Sequence, residues 1–422
     1  MQARPPVALY VHVPFCLSLC PYCDFVVYTG RDARGPASRV AHFVEALLVE
    51  LDLRADLLDA RFGAARPPLA TVYLGGGTPS LLPAAVIGKM LERVAERFGI
   101  APGAEVTMEA NPGPADRGDL AGFRAAGVNR LSLGAQSLDP IELKRLGRRH
   151  GPSNVADAVA AARAAGFEDL SLDLLYDIPG QTVGSWKATL EGVMGLAPDH
   201  ISVYALTLDD PDAESLTGPS GDHLPLRSGA RAWRGRARRE QDEDRAADLY
   251  ALARTRLAEA GYEGYELSNW ARPARACRHN LVYWRRDAYE AVGPGAHAFD
   301  GALERRWNAA RLDRYIAALL PADGSGARLP PGGREDLDEP IARVEGTILG
   351  LRLTNGVEAA LLSDPLLAPG LEWALENGLL ERGRSRLRLS GSGRLLSNEV
   401  FARLLPDRSS VTIPPVKQEA AA

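Results

Sequence analysis

The sequence predicts an α/β fold: a partial (β/α)6 barrel followed by a mostly helical, winged-helix-like domain. Three observations carry that expectation. Six short apolar β-type runs alternate with helical stretches in the first half of the chain, the pattern of a parallel sheet with right-handed crossovers. The runs are mostly unbroken in hydrophobicity, as strands covered on both faces are. The residues with unusual chemistry fall at or just beyond the carboxyl ends of successive runs, which share the face of a parallel barrel that carries active sites. A complete eight-unit barrel takes about 250 residues, whereas these units end near Leu208. A doubly wound sheet is the alternative, but the Gly-x-Gly-x-x-Gly turn expected after its first strand is absent and cysteines stand in its place.

The first run, Val7 to Val13, leads into a loop holding Cys16, Cys20 and Cys23. A Gly/Arg/Pro-rich connector, Thr29 to Ser38, precedes a helix expected over Arg39 to Ala60, where Phe43, Leu47, Leu51 and Leu58 recur at helical spacing. The second run, Thr71 to Leu74, ends in Gly75-Gly76-Gly77-Thr78-Pro79-Ser80 and gives way to a helix over Pro83 to Phe98. Glu105 to Glu109 leads into Ala110-Asn111-Pro112-Gly113 and a helix over Asp116 to Ala126. Arg130 to Gly134 leads into Ala135-Gln136-Ser137 and helices over Pro140 to Leu146 and Val155 to Ala165. Leu170 to Leu175 leads into Tyr176-Asp177-Ile178-Pro179-Gly180 and a helix reaching Leu196; His200 to Leu208 is the last of these runs.

Beyond it, Asp209 to Asp244 is rich in Pro, Gly, Asp and Arg and reads as an irregular insertion. Its basic run Arg234 to Arg239 meets the acidic Glu240 to Asp244 in what is expected to be a solvated loop ahead of a helix over Ala246 to Ala260. An aromatic-rich stretch, Tyr262 to Phe299, is expected to cap the barrel, and a Pro/Gly-rich linker, Leu320 to Gly333, sets off the end domain. There a Leu387-Arg388-Leu389-Ser390 strand signal follows a helix containing Leu371 and Leu375. The expected division is 1–245 barrel, 246–320 capping segment, 334–405 end domain and 406–422 disordered tail.

Net charge is −5 and pI about 5.9, which gives no basic surface for nucleic acid. Only four of the 49 basic residues are lysine, a coding bias and not a binding signature. No signal segment opens the sequence and nowhere do about 18 apolar residues run uninterrupted, so a soluble cytoplasmic protein is expected. Four cysteines in so long a chain do not make a secreted disulfide framework.

Cysteines as close as Cys16, Cys20 and Cys23 form poor mutual disulfides, and an odd number cannot all pair, so a shared inorganic ligand is the better reading. Structural zinc wants four protein ligands and no second pair follows. A [4Fe-4S] cluster held by three thiolates would leave one iron open to an outside ligand. Gly75, Gly76 and Gly77 permit close backbone approach but make no Walker loop, because no Gly-Lys-Ser/Thr follows.

The spacing Cys-x3-Cys-x2-Cys, with Tyr22 before the third cysteine, resembles the cluster loop of the radical S-adenosylmethionine (SAM) enzymes. Tyr10-x-His12-x-Pro14-Phe15 just before Cys16 narrows the resemblance to the branch of oxygen-independent coproporphyrinogen III oxidases and their relatives. It implies that Cys16, Cys20 and Cys23 hold a [4Fe-4S] cluster and that SAM chelates the open iron. It further implies that Gly76, Gly77 and Thr78 take the SAM amino group, that Glu109 binds ribose, and that Tyr10, Tyr22, Gln136, Arg148 and Asp173 contact SAM. The implied chemistry is reductive cleavage of SAM to methionine and a 5′-deoxyadenosyl radical, for which an electron donor is needed.

Within the branch the oxidases carry a further cysteine two positions after the third, and Phe25 stands there instead. That departure, together with an HNxxYW motif at His279-Asn280-Leu281-Val282-Tyr283-Trp284, is similar to the haem chaperones of the HemW type. The resemblance implies haem as cargo, with His279 as its iron ligand and His297 as a second candidate, while Cys277 is an ordinary thiol. The implied partners are haem-accepting proteins, membrane-bound respiratory enzymes among the candidates, with at most peripheral membrane contact. The alternative implied function is the oxidase itself, converting coproporphyrinogen III to protoporphyrinogen IX.

Overall fold

The computed structural model describes residues 2–406 and the backbone of residues 417–418; most of the tail expected from 406 onwards lies outside the described residues. Strands β1 (Ala8–Val13), β2 (Leu69–Gly76), β3 (Ile100–Ala110), β4 (Arg130–Gln136), β5 (Asp169–Tyr176) and β6 (His200–Ala205) lie side by side in chain order, each parallel to the next. The connecting helices are α1 (Val40–Phe62), α2 (Ala84–Phe98), α3 (Leu120–Ala125), α4 (Pro140–Arg145), α5 (Pro152–Ala164) and α6 (Val183–Gly195). They cover the outer face of the strands. Phe43, Leu47 and Leu51 of α1, Ile87 of α2 and Trp186 of α6 are fully buried against Leu9, Val72 and Leu172, and the Trp186 indole N–H donates to Leu249 O at 2.9 Å. Trp186→Ala would cost about 3–5 kcal/mol.

The strands differ from the expectation of uniformly apolar runs. Thr71-Val72-Tyr73-Leu74 and Ser171-Leu172-Asp173-Leu174 alternate, with Val72, Leu74, Leu172 and Leu174 in the helix-covered core and Tyr73, Ser171 and Asp173 facing an interior cavity. The period of two was easily missed because the inward residues Thr71 and Ser171 are small and almost fully buried.

The insertion after β6 is not wholly irregular: it contains α7 (Ser228–Ala237), followed by α8 (Glu243–Glu259). The segment 246–320 corrects the expectation of a cap. Its strands β7 (Glu263–Gly264) and β8 (Asn269–Ala271) extend the sheet antiparallel beyond β6. Then α9 (Arg278–Trp284) crosses the amino ends of β2 and β3, the end opposite the cysteine loop, where Arg278 reaches the Ala70 and Gly103 carbonyls. β9 (Tyr289–Val292) pairs parallel with β1 at the other edge, and β10 (His297–Phe299), β11 (Glu304–Asn308) and β12 (Gly332–Asp336) continue it antiparallel, with α10 (Leu312–Leu319) between the last two. Unpaired strand edges attract whatever can complete them, and this segment supplies partners for both. Lys417–Gln418 lies along β12.

The end domain is a helical body, α11 (Glu339–Arg352), α12 (Ala368–Glu376), α13 (Gly391–Leu395) and α14 (Ser397–Leu404), with a three-stranded antiparallel sheet, β13 (Val357–Glu358), β14 (Leu380–Arg382) and β15 (Arg386–Leu389), as a winged-helix-like unit requires. It has its own core around Val344, Leu371, Leu387 and Val400, which also takes in Leu267 of the barrel. Arg352 lies over the Trp284 ring at 4.3 Å and Arg286 pairs with Glu345 at 2.8 Å, so the domain docks on α9. Among the described residues no helix is long and apolar enough to cross a membrane.

Candidate cluster and cofactor site

One cavity of about 600 Å³ runs from the cysteine loop at the carboxyl ends of β1–β6 down to α9. The loop is pinned at its base, where Cys16 N donates to Tyr28 O at 3.0 Å and Tyr28 N to Pro14 O at 2.6 Å, and it turns on itself through Cys23 N to Cys20 O at 3.1 Å. Cys16, Cys20 and Cys23 are all free thiols lining the cavity. Burial pushes the Cys16 thiol up to about 11 and Cys23 higher still. Thiols so placed stay protonated until a cation draws the proton off. Among the described residues no three His, Cys, Asp or Glu side chains converge tightly enough for a single metal ion. Three thiols that share one cavity without converging on one point suit a cluster, where each thiolate takes a different iron.

Two arginines shape the loop. Arg148 donates Nη1 to Cys20 Sγ at 3.7 Å. Arg234, on α7 and 2% exposed, holds the Pro21 (3.1 Å), Tyr22 (3.0 Å), Cys23 (3.0 Å) and Asp209 carbonyls and the Asp24 carboxylate (2.5 Å). The arginine expected in a solvated charge run is thus a buried clamp on the cysteine loop. Its neighbours explain the error: the inward positions of α7 are Ala230, Arg234 and Ala237, which have helical spacing but almost no hydrophobic signal.

The glycine run turns under the loop. Gly76 has φ +102, and a Cβ there would lie 2.3 Å from the His12 ring; a Cβ on Gly77 would lie 2.7 Å from the Val13 and Phe15 carbonyl oxygens. Only glycine fits either position. Thr78 Oγ1 meets Cys16 Sγ at 3.1 Å and accepts from Asn111 Nδ2 at 3.0 Å. Glu109, at the end of β3, accepts from the Tyr73 hydroxyl at 2.9 Å and Gly76 N at 3.0 Å; burial pushes its carboxyl up to about 7 against those bonds. Asp173 lies mid-strand, not at a strand end, and accepts from Ser132 (3.0 Å), Ser171 (3.3 Å) and Ser202 (2.7 Å), with burial raising its carboxyl. Gln136 caps β4 at φ +66. Arg148 also bonds Asn111 Oδ1 and the Gly134 carbonyl (2.7 Å), and its buried Nε has no hydrogen-bond partner. Tyr10 and Tyr22 line the same space. Thr107 Oγ1, facing it from β3, is likewise buried without a partner. Orphaned polar atoms on a cavity wall are costly unless a ligand or water meets them. A Gly-Gly-Thr turn for an ammonium, a carboxylate for ribose hydroxyls, a guanidinium N–H for a carboxylate and a thiolate set for iron together fit a cluster with an amino-acid nucleoside.

The structure therefore gathers Tyr10, the three cysteines, Tyr22, Gly76, Gly77, Thr78, Glu109, Gln136, Arg148 and Asp173 around one cavity. It adds Asn111, signalled only by its Asn-Pro turn after a strand, and Arg234, which had no signal. His279 lines the floor of the same cavity. It is 1% exposed, its Nδ1 meets Thr71 Oγ1 at 2.7 Å and its Nε2 meets the Tyr283 hydroxyl at 2.9 Å, and burial lowers it to about 3. In this arrangement both ring nitrogens of His279 meet hydroxyl groups. The motif also forms a junction: His279 and Tyr283 line the barrel floor while Trp284 receives the end domain through Arg352. His297 lies on the surface.

Comparison with known proteins gives the family. The Radical SAM superfamily profile matches residues 10–193. The chain is 38% identical to the Heme chaperone HemW of Mycobacterium tuberculosis (strain ATCC 25618 / H37Rv), over 95% of each protein. This chain belongs to the HemW family of radical SAM proteins. The Heme chaperone HemW of Escherichia coli (strain K12) is 36% identical over 96% of this chain and all of its own length. Among solved structures, coproporphyrinogen III oxidase (HemN) from Escherichia coli matches with a TM-score of 0.73 over 95% of this chain and 90% of its own, at 22% identity, a likeness of fold. HemW-family membership accounts for a radical SAM barrel that carries a C-terminal helical domain.

Proposed function

We propose that this protein binds haem and passes it to haem-requiring proteins, using a barrel that holds a [4Fe-4S] cluster and SAM. The observation that carries the reading is identity of 36–38% over 95–96% of the chain to proteins named as haem chaperones, in a chain that has Phe25 where a fourth loop cysteine would stand. Cys16, Cys20 and Cys23 hold the cluster, which supplies one-electron chemistry when bound. Gly76, Gly77 and Thr78 take the SAM amino group, Arg148 its carboxylate and Glu109 its ribose, with Tyr10, Tyr22, Gln136 and Asp173 completing the wall. Arg234 keeps the loop in shape and the closed floor excludes water from below. The protein works in the cytoplasm with an electron donor, and meets haem acceptors, including membrane-bound respiratory enzymes, by transient peripheral contact.

The test is an anaerobic haemin titration of cluster-loaded protein beside a coproporphyrinogen III turnover assay containing SAM and reductant. The expected outcome is saturable haem binding with no protoporphyrinogen IX formed. Product formation dependent on the three loop cysteines, without stoichiometric haem binding, would make the protein an oxidase.

A further inference from the structure

We propose that Thr71 and Glu105, paired in register on β2 and β3, present His279 to haem iron: Thr71 accepts the hydrogen bond of ring nitrogen Nδ1, Glu105 holds the main chain, and the Tyr283 hydroxyl covers Nε2 until iron replaces it. This rests on the haem-binding reading above, with His279 as the iron ligand, and adds the residues that ready it. An imidazole gives iron one bare ring nitrogen, and a partner on the other nitrogen fixes which one that is. Such partners act through the ligand and are positioning residues.

His279 Nδ1 lies 2.7 Å from Thr71 Oγ1 and Nε2 lies 2.9 Å from the Tyr283 hydroxyl. Burial keeps the ring neutral, so it carries one N–H and one lone pair. One hydroxyl therefore accepts and the other donates. A phenol is the more acidic and better donor, and an aliphatic hydroxyl oxygen the better acceptor, which puts the proton on Nδ1 and the lone pair on Nε2. The same order recurs in this cavity where a carboxylate fixes it. Ser171 Oγ donates to Asp173 Oδ1 at 3.3 Å and lies 2.8 Å from His200 Nδ1, so it accepts from that nitrogen. His200 Nε2 is left to accept from the Tyr265 hydroxyl at 2.9 Å, whose oxygen accepts from Asn280 Nδ2 at 3.1 Å. Both rings have a strand hydroxyl on Nδ1 and a tyrosine on Nε2.

The sheet holds His279 at two points. Thr71, buried, pairs with Ala8 on one side and Glu105 on the other, so its hydroxyl is fixed in the middle of the sheet. Glu105, also buried, accepts from Arg278 N (2.9 Å), His279 N (3.0 Å) and Cys277 Sγ (3.4 Å). Opposed positions on two strands thus hold one residue by its ring and by its main chain. Tyr73, two residues along β2 from Thr71, packs on the His279 ring with centroids 5.1 Å apart and planes at 32°, and Tyr283 meets it edge-on at 5.2 Å and 88°. Rings on two sides resist the flip that would exchange the two nitrogens.

Tyr283 stands one turn after His279 on α9 and lines the cavity. Its hydroxyl makes no second hydrogen bond among the described residues, whereas Tyr265, which covers His200, is tied by Asn280. A single hydrogen bond between neutral groups is a weak cover and yields to a metal–nitrogen bond. His279 is thus the imidazole of the two whose bare nitrogen can be uncovered.

The experiment is haemin titration of the full-length, cluster-loaded protein, with the iron–histidine stretch of the reduced haem read by resonance Raman spectroscopy. A hydrogen bond from Nδ1–H makes the ring a more basic ligand, so this stretch reports the Thr71 contact itself, which a purely structural role would not move. Thr71→Val should bind haem about tenfold more weakly and lower the stretching frequency, and Thr71→Ser should recover both. Glu105→Gln, which turns one acceptor oxygen into a donor, should weaken binding at unchanged frequency, because the ring keeps Thr71. Tyr283→Phe should take up haem several-fold faster than the parent. Frequencies are read on the haem-bound fraction, so partial misfolding does not mask them. Parent affinity and frequency in Thr71→Val would overturn the proposal, as would no recovery in Thr71→Ser, parent affinity in Glu105→Gln or uptake by Tyr283→Phe no faster than the parent. His279→Gln protein that binds haem like the parent would overturn it too, by taking iron away from this ring. Failure of the parent protein to bind haem would remove the chaperone reading itself, a distinct result.

Discussion

Glu109 is held near a titration point by two opposed effects, burial and its bonds to Tyr73 and Gly76, with Asp173 adding repulsion, and its carboxyl sits at about 7. Ribose hydroxyls are best accepted by the ionised form. Between pH 6 and pH 8 the ionised fraction of a group at about 7 rises from about 9% to about 91%, so SAM affinity should climb about tenfold over that range. Isothermal titration with SAM should show this in the parent and a flat profile in Glu109→Gln; a parent profile that falls with pH would refute the ribose role. His279 gives the opposite case. Its folded value, about 3, lies below the ordinary 6.5, so its share of stability is complete above about 6.5 and is lost as pH falls towards about 3. The stability gap between the parent and His279→Asn should therefore be about 2 kcal/mol narrower at pH 5 than at pH 7.5. Urea unfolding at the two pH values measures it, and a gap that widens on acidification would show that His279 is charged in the native state. The motif around His279 was legible in the sequence, but its hydrogen-bond partners were not. Its ring partner Thr71 is 208 positions away, and no local pattern reports such a partner.

At the scale of elements, the six strands and their helices were legible because each repeats a local period, and the turns after them were marked by Cys, Gly, Asn and Gln. α7 was not, since its inward stripe is made of alanine and arginine. That helix nevertheless governs the loop. Arg234→Met would strand the Pro21, Tyr22, Cys23 and Asp209 carbonyls and the Asp24 carboxylate, and breaking a buried charge pair of this kind costs about 3–5 kcal/mol. The expected outcome is a lower iron content after anaerobic reconstitution and a lower melting temperature, with partial recovery in Arg234→Lys. Full iron loading and unchanged melting in the Met variant would show that the clamp does not matter.

For the whole molecule, the expected boundary at 245 does not divide two independent bodies. The main core joins Leu9 and Leu172 to Trp270, Val292 and Tyr315, and each edge of the six-strand set is covered by strands from beyond residue 262. A fragment ending at 245 would expose the β1 edge, the β6 edge and the polar floor together. It should aggregate or unfold without cooperativity, whereas residues 1–338 should melt cooperatively; limited proteolysis and urea melts compare the two. A sharp transition in the shorter fragment would restore the boundary. The end domain was legible as a unit because a Pro/Gly-rich linker and a separate apolar pattern mark it, while the crossing of the 246–320 segment from one edge of the sheet to the other leaves no periodic trace.

The pairing of β1 with β9, which sets Ala8 opposite Tyr289, also has a meaning in time. At synthesis rates of about 5–20 residues per second, about 15–55 seconds separate the emergence of the cysteine loop from that of the strand that shelters it. For most of that interval the three thiols hang on a nascent chain that still lacks Arg234, the floor helix and both edge strands. The reactive loop is made first and enclosed last. The order of synthesis thus predicts that iron and sulfide are delivered late, to a nearly finished polypeptide, with the thiols kept reduced in the meantime.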